Sequence, residues 1–288
     1  MSANDQSDPA NTISFQGAPG ANSDMACRVV FPQMDTLPCE DFEGAFAAVH
    51  EGRARLAMIP VENSIAGRVA DIHHLLPEGG LHIIGEYFHR VIHSLLALPG
   101  TKLDDLAEVH SHVQALGQCR AGIRALGLKP VVAADTAGAA RDIALWGDRS
   151  KAAIANRLAA EIYGLDVLRE GIEDTAHNTT RFIILSREPQ VPKLGSGTAM
   201  TSFIFQVRQV PAALFKALGG FATTGINMTK LESYVDEHFS QARFYAEVEA
   251  HIDDPVMKIA MEELEFFAES IKVMGCFPAA PFRMAKGK

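Results

Sequence analysis

The residues able to do chemistry in this chain are concentrated in four short polar stretches. The first, Gly17-Ala18-Pro19-Gly20-Ala21-Asn22-Ser23, follows the apolar run TISFQ. A glycine-rich turn from strand to helix offers backbone N–H groups and the positive end of a helix dipole to an anion. It is neither a dinucleotide fingerprint nor a P-loop, and a plain tight turn is the competing explanation. The second, Pro60-Val61-Glu62-Asn63-Ser64-Ile65-Ala66-Gly67, sets Glu62, Asn63 and Ser64 where a strand ends and a helix is expected to begin. Polar side chains at the carboxyl ends of strands can meet a ligand in an open α/β sheet. They can also be helix N-caps, worth about 1 kcal/mol.

The third stretch is Ser111-His112-Val113-Gln114-Ala115-Leu116-Gly117-Gln118-Cys119. Ser111 and Gln114 have capping-box spacing, and Gln118 lies one helical turn beyond Gln114, so both glutamines look into the same space. His110 and His112 share one face of a strand, but no carboxylate or third ligand is near them in sequence, and no metal is expected. Cys119 reads as packing. Asp135-Thr136 is a helix-start signal of structural character. The fourth stretch, His177-Asn178-Thr179-Thr180-Arg181-Phe182, leads polar residues into an apolar strand. Arg181 can hold a carboxylate in a bidentate fork, or it can form a structural ion pair with Asp174 or Glu173. Thr180 offers a hydroxyl that donates or accepts.

Short strands alternating with helices must position these residues. Strands are expected at TISFQ, RLAMIPVE, LHIIGEYF, HSLLALP, EVHSH, PVVAA, AAIAN and RFIILS. Helices are expected over residues 18–30, 42–49, 69–76, 113–125, 138–145 and 157–163. Residues 1–11 are polar and expected to be disordered. The alternation predicts an α/β fold with a largely parallel sheet. Near Glu188 the pattern changes: EPQVPKLGSG holds prolines and glycines with little apolar content and reads as a linker. Beyond it the order is strand (201–207), helix (212–223), strand (227–235), strand (241–250), helix (255–269), strand (271–277). That is the ferredoxin-like βαββαβ plan.

The chain has 288 residues, 48% hydrophobic and 21% charged, which suits about two globular domains and excludes wholesale disorder. Net charge is −9 and basic residues are scattered, which argues against a nucleic-acid binder. An acidic chain that binds an anion needs local positive potential, from a few Arg or Lys side chains or from helix N-termini. Cys27, Cys39, Cys119 and Cys276 include no C-x-x-C pair. The start MSANDQSDPANT has no signal-peptide character, and no apolar run reaches the roughly 18 residues of a membrane span. A cytoplasmic protein with free thiols is the expectation.

With these stretches in hand, the chain resembles prephenate dehydratase joined to a regulatory ACT domain. The glycine turn, PVENS-x-x-G, SH-x-QAL-x-QC, DTA-x-AA, AAIAN-x-x-AAE-x-YGL and N-x-TRF occur in the family's order between Thr12 and Ser186. PAALFKALGGFATTGINMTKLES and FYAEVE resemble ACT. The resemblance implies a catalytic domain over residues 12–188, a linker over 189–198 and an ACT domain over 199–280. It implies two α/β lobes around a cleft, similar to type II periplasmic binding proteins, plus a ferredoxin-like unit. It also implies conversion of prephenate to phenylpyruvate with loss of carbon dioxide and water, in phenylalanine biosynthesis, without cofactor or metal. Arogenate dehydration and a non-catalytic amino-acid sensor are the alternatives. Thr180 falls on the family's catalytic threonine, with Glu62 as a second acid candidate. Asn63, Ser64, Ser111, Gln118 and Arg181 match substrate-site positions.

The same resemblance implies a homodimer or homotetramer, with phenylalanine as effector near Ala213, Leu214, Asn227, Glu232 and Ser233. Three places in the chain depart from the family pattern. Val113 replaces a frequent proline, Ala212 replaces a glycine that lets a ligand approach the backbone, and Tyr234-Val235 stand where Arg-Pro is common. The last two bear on phenylalanine binding.

Overall fold

The structure is a computed structural model, and it describes residues 8–69, 72–235 and 242–285. The chain opens with β1 (Thr12–Gln16), α1 (Asn22–Val30), β2 (Asp35–Cys39), α2 (Phe42–His50), β3 (Leu56–Asn63), β4 (Gly67–Arg68), α3 (Ile72–Glu78) and β5 (His82–Arg90). It continues through β6 (Ser94–Ala97), β7 (Glu108–Ser111), α4 (Val113–Gln118), α5 (Arg120–Ala125), β8 (Lys129–Val132), α6 (Thr136–Trp146), β9 (Lys151–Ala155), α7 (Arg157–Tyr163), β10 (Asp166–Glu170) and β11 (Thr179–Ser186). It ends with β12 (Ala199–Val207), α8 (Ala213–Thr224), β13 (Met228–Val235), β14 (Ala242–Val248), α9 (Pro255–Phe267), β15 (Ala268–Pro278) and α10 (Pro281–Ala285). Two compact units result. One runs to Val69 and resumes over Tyr87–Phe182; the other takes the chain through Glu86 and from Ile183 onward.

The first unit carries two lobes. One is built on β1, β2 and β3, with β1 parallel to both neighbours, together with residues 179–182 of β11 and 87–90 of β5. The other is built on β10-β6-β9-β7-β8, with β7 parallel to β8 and β9, and β6 antiparallel to β9 and β10. Successive residues of a strand face opposite sides. Leu95 and Ile154 accordingly enter a core with Val109, Leu116, Ile123 and Leu128. Their neighbours Leu96, Ala153 and Ala155 enter another with Ala137, Ala140 and Ile143. Both faces of the central strands are thus covered by helices, which explains why AAIAN reads as an unbroken apolar run.

In the second unit the expected βαββαβ order is present, with the antiparallel sheet order β13-β14-β12-β15. Phe203, Phe205, Phe221 and Phe244 form its core with Met257, Ala260 and Leu264 of α9. Phe203 stacks on Phe221 with centroids 5.6 Å apart. Among the described residues, no helix is long and apolar enough to cross a membrane.

Several expected elements are corrected. The helix expected from Ala18 starts at Asn22, because Gly17 and Gly20 adopt φ of 119° and 86°. The helix expected after Asn63 is instead a tight hairpin, pairing Glu62 with Arg68 and Asn63 with Gly67. Ala70 and Asp71, at the start of the helix expected over 69–76, lie outside the described residues, as do residues 1–7 and Gln241. Pro9–Asn11 form a 3-10 turn capped by the Asp8 side chain, where disorder was expected. The helix expected over 113–125 breaks at Cys119 (φ −118°, ψ 21°) into α4 and α5. Strands β2 and β10 were not foreseen. Both are sheet edges, largely solvated, so neither shows an apolar run, and an edge tolerates Pro38.

Ala212 is the one non-glycine among the described residues with positive φ, at 60°, as the N-cap of α8. The frequent glycine at this position therefore answers a backbone demand, not only ligand approach. Left-handed geometry costs an L-residue about 1–2 kcal/mol, and glycine's greater freedom in the unfolded chain offsets part of the relief. Ala212→Gly should stabilise the protein by about 0.5–1 kcal/mol, measured as a higher urea midpoint. A lower midpoint would contradict the strain.

Candidate active site

A cleft of about 300 Å³ lies in the first unit, and all four polar stretches reach it. Gln16, Gly17, Ala21, Asn22 and Ser23 line it where β1 turns into α1. That turn is clamped by Asn156, whose Nδ2 donates to Gly20 O (2.8 Å) and to Asn22 Oδ1 (3.1 Å). Only glycine fits at position 20, since a Cβ there would sit 2.9 Å from Ala159 Cα. Ala21 caps α1 without a side-chain hydrogen bond, so the first-turn N–H groups of α1 have no side-chain cap. Asp135 and Thr136 bring the start of α6 to the same space, with Asp135 Oδ1 accepting from Gly138 N–H at 2.6 Å.

The floor is a chain of amides whose polarity is set at one end. Asn63 Oδ1 accepts the backbone N–H groups of Ile65 (3.0 Å) and Ala66 (2.8 Å). Its Nδ2 therefore faces the other way, donating to Asn178 Oδ1 (2.7 Å) and Thr180 Oγ1 (3.0 Å). With Oδ1 committed, Asn178 turns its Nδ2 to Gln118 Oε1 at 2.8 Å. Because Thr180 Oγ1 accepts from Asn63, its own proton is left to donate into the cleft. Val69, Val91, Ala115 and Phe182 supply apolar wall. None of the described lining residues is Lys or Arg.

Of the expected site residues, Asn63, Gln118 and Thr180 meet at this floor. Four are not brought to it. Ser111 is fully buried and its hydroxyl donates to Ile154 O at 2.6 Å. The expected capping box is absent too: His112 caps α4 by accepting from Gln114 N–H at 3.3 Å. Ser64 acts as a clamp, donating to His177 O (2.8 Å) and accepting from Thr179 N–H (2.9 Å). Glu62 sits opposite Arg68 in the hairpin. Arg181 is buried with its guanidinium 5.9 Å from the Phe88 ring centroid, because neighbours of Thr180 on β11 point to the opposite face.

Two floor residues were missed. Asn178 lies two positions before Thr180, so strand periodicity places them on one face. His93, whose Nε2 meets Gln118 Oε1 at 2.8 Å, had no signal beyond being a histidine beside an apolar strand. Burial lowers its pKa from the usual histidine value, so the ring is neutral. Burial likewise pushes the Cys119 thiol up to about 12, which suits packing rather than nucleophilic work. His110 packs edge-on against Trp146, centroids 5.1 Å apart. Among the described residues no three His, Cys, Asp or Glu side chains gather as a metal site.

The expected effector residues all lie in the second unit. Ala213 is buried at the start of α8, followed by the half-buried Leu214. Asn227 Nδ2 donates to Glu249 Oε2 at 2.8 Å. Glu232 holds Lys230 at 3.1 Å and accepts from Tyr234 OH at 2.6 Å, while Ser233 is exposed.

The model of one protein family, prephenate dehydratase, matches residues 13–190. The chain belongs to the prephenate dehydratase family. These enzymes are carbon–oxygen lyases, and the matched span holds both lobes and the whole cleft floor. The chain is 53% identical to a bifunctional N-acyl-homoserine lactone acylase/prephenate dehydratase of Komagataeibacter europaeus, over 94% of this chain and 97% of that one. It is 39% identical to arogenate dehydratase/prephenate dehydratase 1 of Arabidopsis thaliana, over 96% of this chain and 74% of that one. The solved prephenate dehydratase of Arthrobacter aurescens in complex with L-Phe superimposes with a TM-score of 0.86 at 28% identity, over 93% of this chain and 90% of that one.

The assigned polarity of this floor can be tested through stability. In Asn178→Asp a carboxylate oxygen replaces the donor that faces Gln118 Oε1, at a residue that is 1% exposed. The new carboxyl's folded pKa rises, so its penalty is present at neutral pH and fades as acid protonates it. The expected cost at neutral pH is about 1–3 kcal/mol by urea unfolding, shrinking toward about pH 4. A variant as stable as the parent at neutral pH would refute the polarity.

Proposed function

We propose that the protein converts prephenate to phenylpyruvate, in the cytoplasm, as a step toward phenylalanine. The observation that carries this reading is the Thr180 hydroxyl, which accepts from Asn63 and keeps its proton for the cleft. Prephenate carries two carboxylates and a ring hydroxyl. Cleavage of the ring carbon–carboxylate bond releases carbon dioxide; its electron pair moves through the diene, expels the hydroxyl and makes the ring aromatic. The departing oxygen leaves with the charge of hydroxide and needs a donor as that charge develops. Thr180 supplies a hydrogen bond. A threonine hydroxyl is too weak an acid for efficient full proton transfer near neutral pH, so the proton that completes water comes from solvent.

The dianion must also be held. The fork expected from Arg181 does not reach the cleft, so that task passes to neutral donors. The first-turn N–H groups of α1 offer partial positive charge, and the Gln118 amide offers N–H donors. Preorganised dipoles of this kind act without moving during the reaction. No step calls for a metal or cofactor.

The Arabidopsis relative's name covers both arogenate and prephenate dehydration, so arogenate is the second substrate reading. The Komagataeibacter relative's name adds acyl-homoserine lactone cleavage, and the 53% identity is the observation behind that further reading. For regulation, the bound L-Phe in the Arthrobacter structure supports phenylalanine as an effector of the ferredoxin-like unit, through Ala213, Leu214, Asn227, Glu232 and Ser233 of a homodimer or homotetramer.

Purified protein should form phenylpyruvate from prephenate in a side-by-side assay with arogenate and an acyl-homoserine lactone. Absence of phenylpyruvate would sink the reading, and faster arogenate turnover would reverse the substrate order. Thr180→Ala should lower kcat by about 10²–10³-fold with KM changed only a few-fold, the loss typical of one donor at a developing anion. Near-normal kcat would remove Thr180 from the chemistry. Saturating phenylalanine should raise the melting temperature, and an unchanged curve would remove the effector role.

A further inference from the structure

The Gln118 side chain is held from two sides. Its Oε1 accepts from Asn178 Nδ2 at 2.8 Å and lies 2.8 Å from His93 Nε2. An amide oxygen is an acceptor only, so the His93 nitrogen facing it carries a proton. Both lone pairs of Oε1 are then used, which leaves the amide NH2 group to donate in the cleft that Gln118 lines. With Asn178 alone, the amide could pivot about a single bond.

His93 is itself tethered. Its backbone N–H donates to Glu173 Oε2 at 3.0 Å, and its carbonyl accepts from Ile172 N–H at 3.0 Å. The same short segment reaches α4: Asp174 N–H donates to Gln118 O at 2.7 Å, and Asp174 Oδ1 accepts from Ala121 N–H at 3.0 Å. Residues 172–174 therefore fix the backbone of Gln118 and the backbone of His93 to each other. The imidazole completes this frame by fixing the amide plane.

We propose that His93 is a positioning residue: in its Nε2–H form it locks the Gln118 amide so that the NH2 group donates to a carboxylate of the bound substrate. This rests on the prephenate reading of the cleft. A carboxylate that stays on the product is held equally before and during bond breaking, so loss of the lock acts on binding rather than on the chemical step. His93 and Thr180 then differ in kinetic signature, the first acting on KM and the second on kcat.

The test is a double-mutant cycle on the full-length protein with prephenate, joined to a tautomer measurement that needs no turnover. His93→Leu should raise KM about tenfold and leave kcat within about threefold. His93→Gln, which keeps a donor near the Nε2 position, should recover most of that loss. In a Gln118→Ala background His93→Leu should add nothing. Additive losses, a fall in kcat alone, or failure of His93→Gln to rescue a folded enzyme would overturn the proposal. In ¹⁵N-histidine-labelled parent protein at neutral pH, His93 should show the Nε2–H tautomer, and an Nδ1–H form or an imidazolium would also overturn it. If the parent makes no phenylpyruvate while the tautomer is as expected, the substrate reading fails and the lock on Gln118 stands.

Discussion

The cleft depends on what Asn63 does with its oxygen. Two backbone N–H groups in the β3–β4 hairpin occupy Oδ1, and that local commitment fixes the direction of every hydrogen bond downstream. Asn178 can then only turn its NH2 group toward Gln118, and Thr180 can only accept from Asn63. An isolated hydroxyl rotates to suit its neighbours. Here its protein partner, Asn63 Nδ2, is a donor, so the hydroxyl proton is presented to whatever occupies the cleft. Buried polar networks are costly when partly satisfied, and this one leaves its free donors only where a ligand would meet them.

On the prephenate reading, this arrangement lets an acidic chain hold a doubly charged substrate without a cationic side chain in the described lining. The chain's net charge is −9, and its one arginine beside the key threonine points to the other face of β11 and lies over Phe88. Positive potential comes instead from the amino end of α1, set at the carboxyl end of β1 as open α/β sheets place it, whereas the α6 end is already met by the Asp135 carboxylate. The second lobe holds the first lobe's glycine turn through Asn156 and Tyr163, whose hydroxyl donates to Pro19 O at 2.8 Å. Donors from both lobes are thereby kept in one frame. Two buried thiols stay out of this chemistry: burial raises both Cys119 and Cys27 well above the ordinary range.

The fold was largely legible because its signals are local. Buried strands such as RFIILS declare themselves by composition, and βαββαβ follows from the order of short apolar strands and helices after the linker. What failed needed distant partners or backbone angles. Edge strands β2 and β10 bury little and leave no pattern. The hairpin after Asn63 was mistaken for a helix start because an Asx turn and an N-cap use the same residue in nearly the same way. Ser111 looked like a cap, but its hydroxyl goes to Ile154, a partner on another strand that no local motif can show. Arg181 was read from its residue type and the family resemblance as a ligand fork, with a structural ion pair as the alternative; period-two alternation sets it opposite Thr180. Asn178 was legible by the same alternation, and His93 was not, since its role depends on a contact with α4 that is 25 residues away in sequence.

The most direct test is to see the protons themselves. A neutron crystal structure of the deuterium-exchanged protein should show the Thr180 deuteron directed into the cleft, both Asn63 Nδ2 deuterons on the Asn178 and Thr180 side, and a deuteron on His93 Nε2. A Thr180 deuteron directed at Asn63, with the Asn63 amide reversed, would contradict the account at its root.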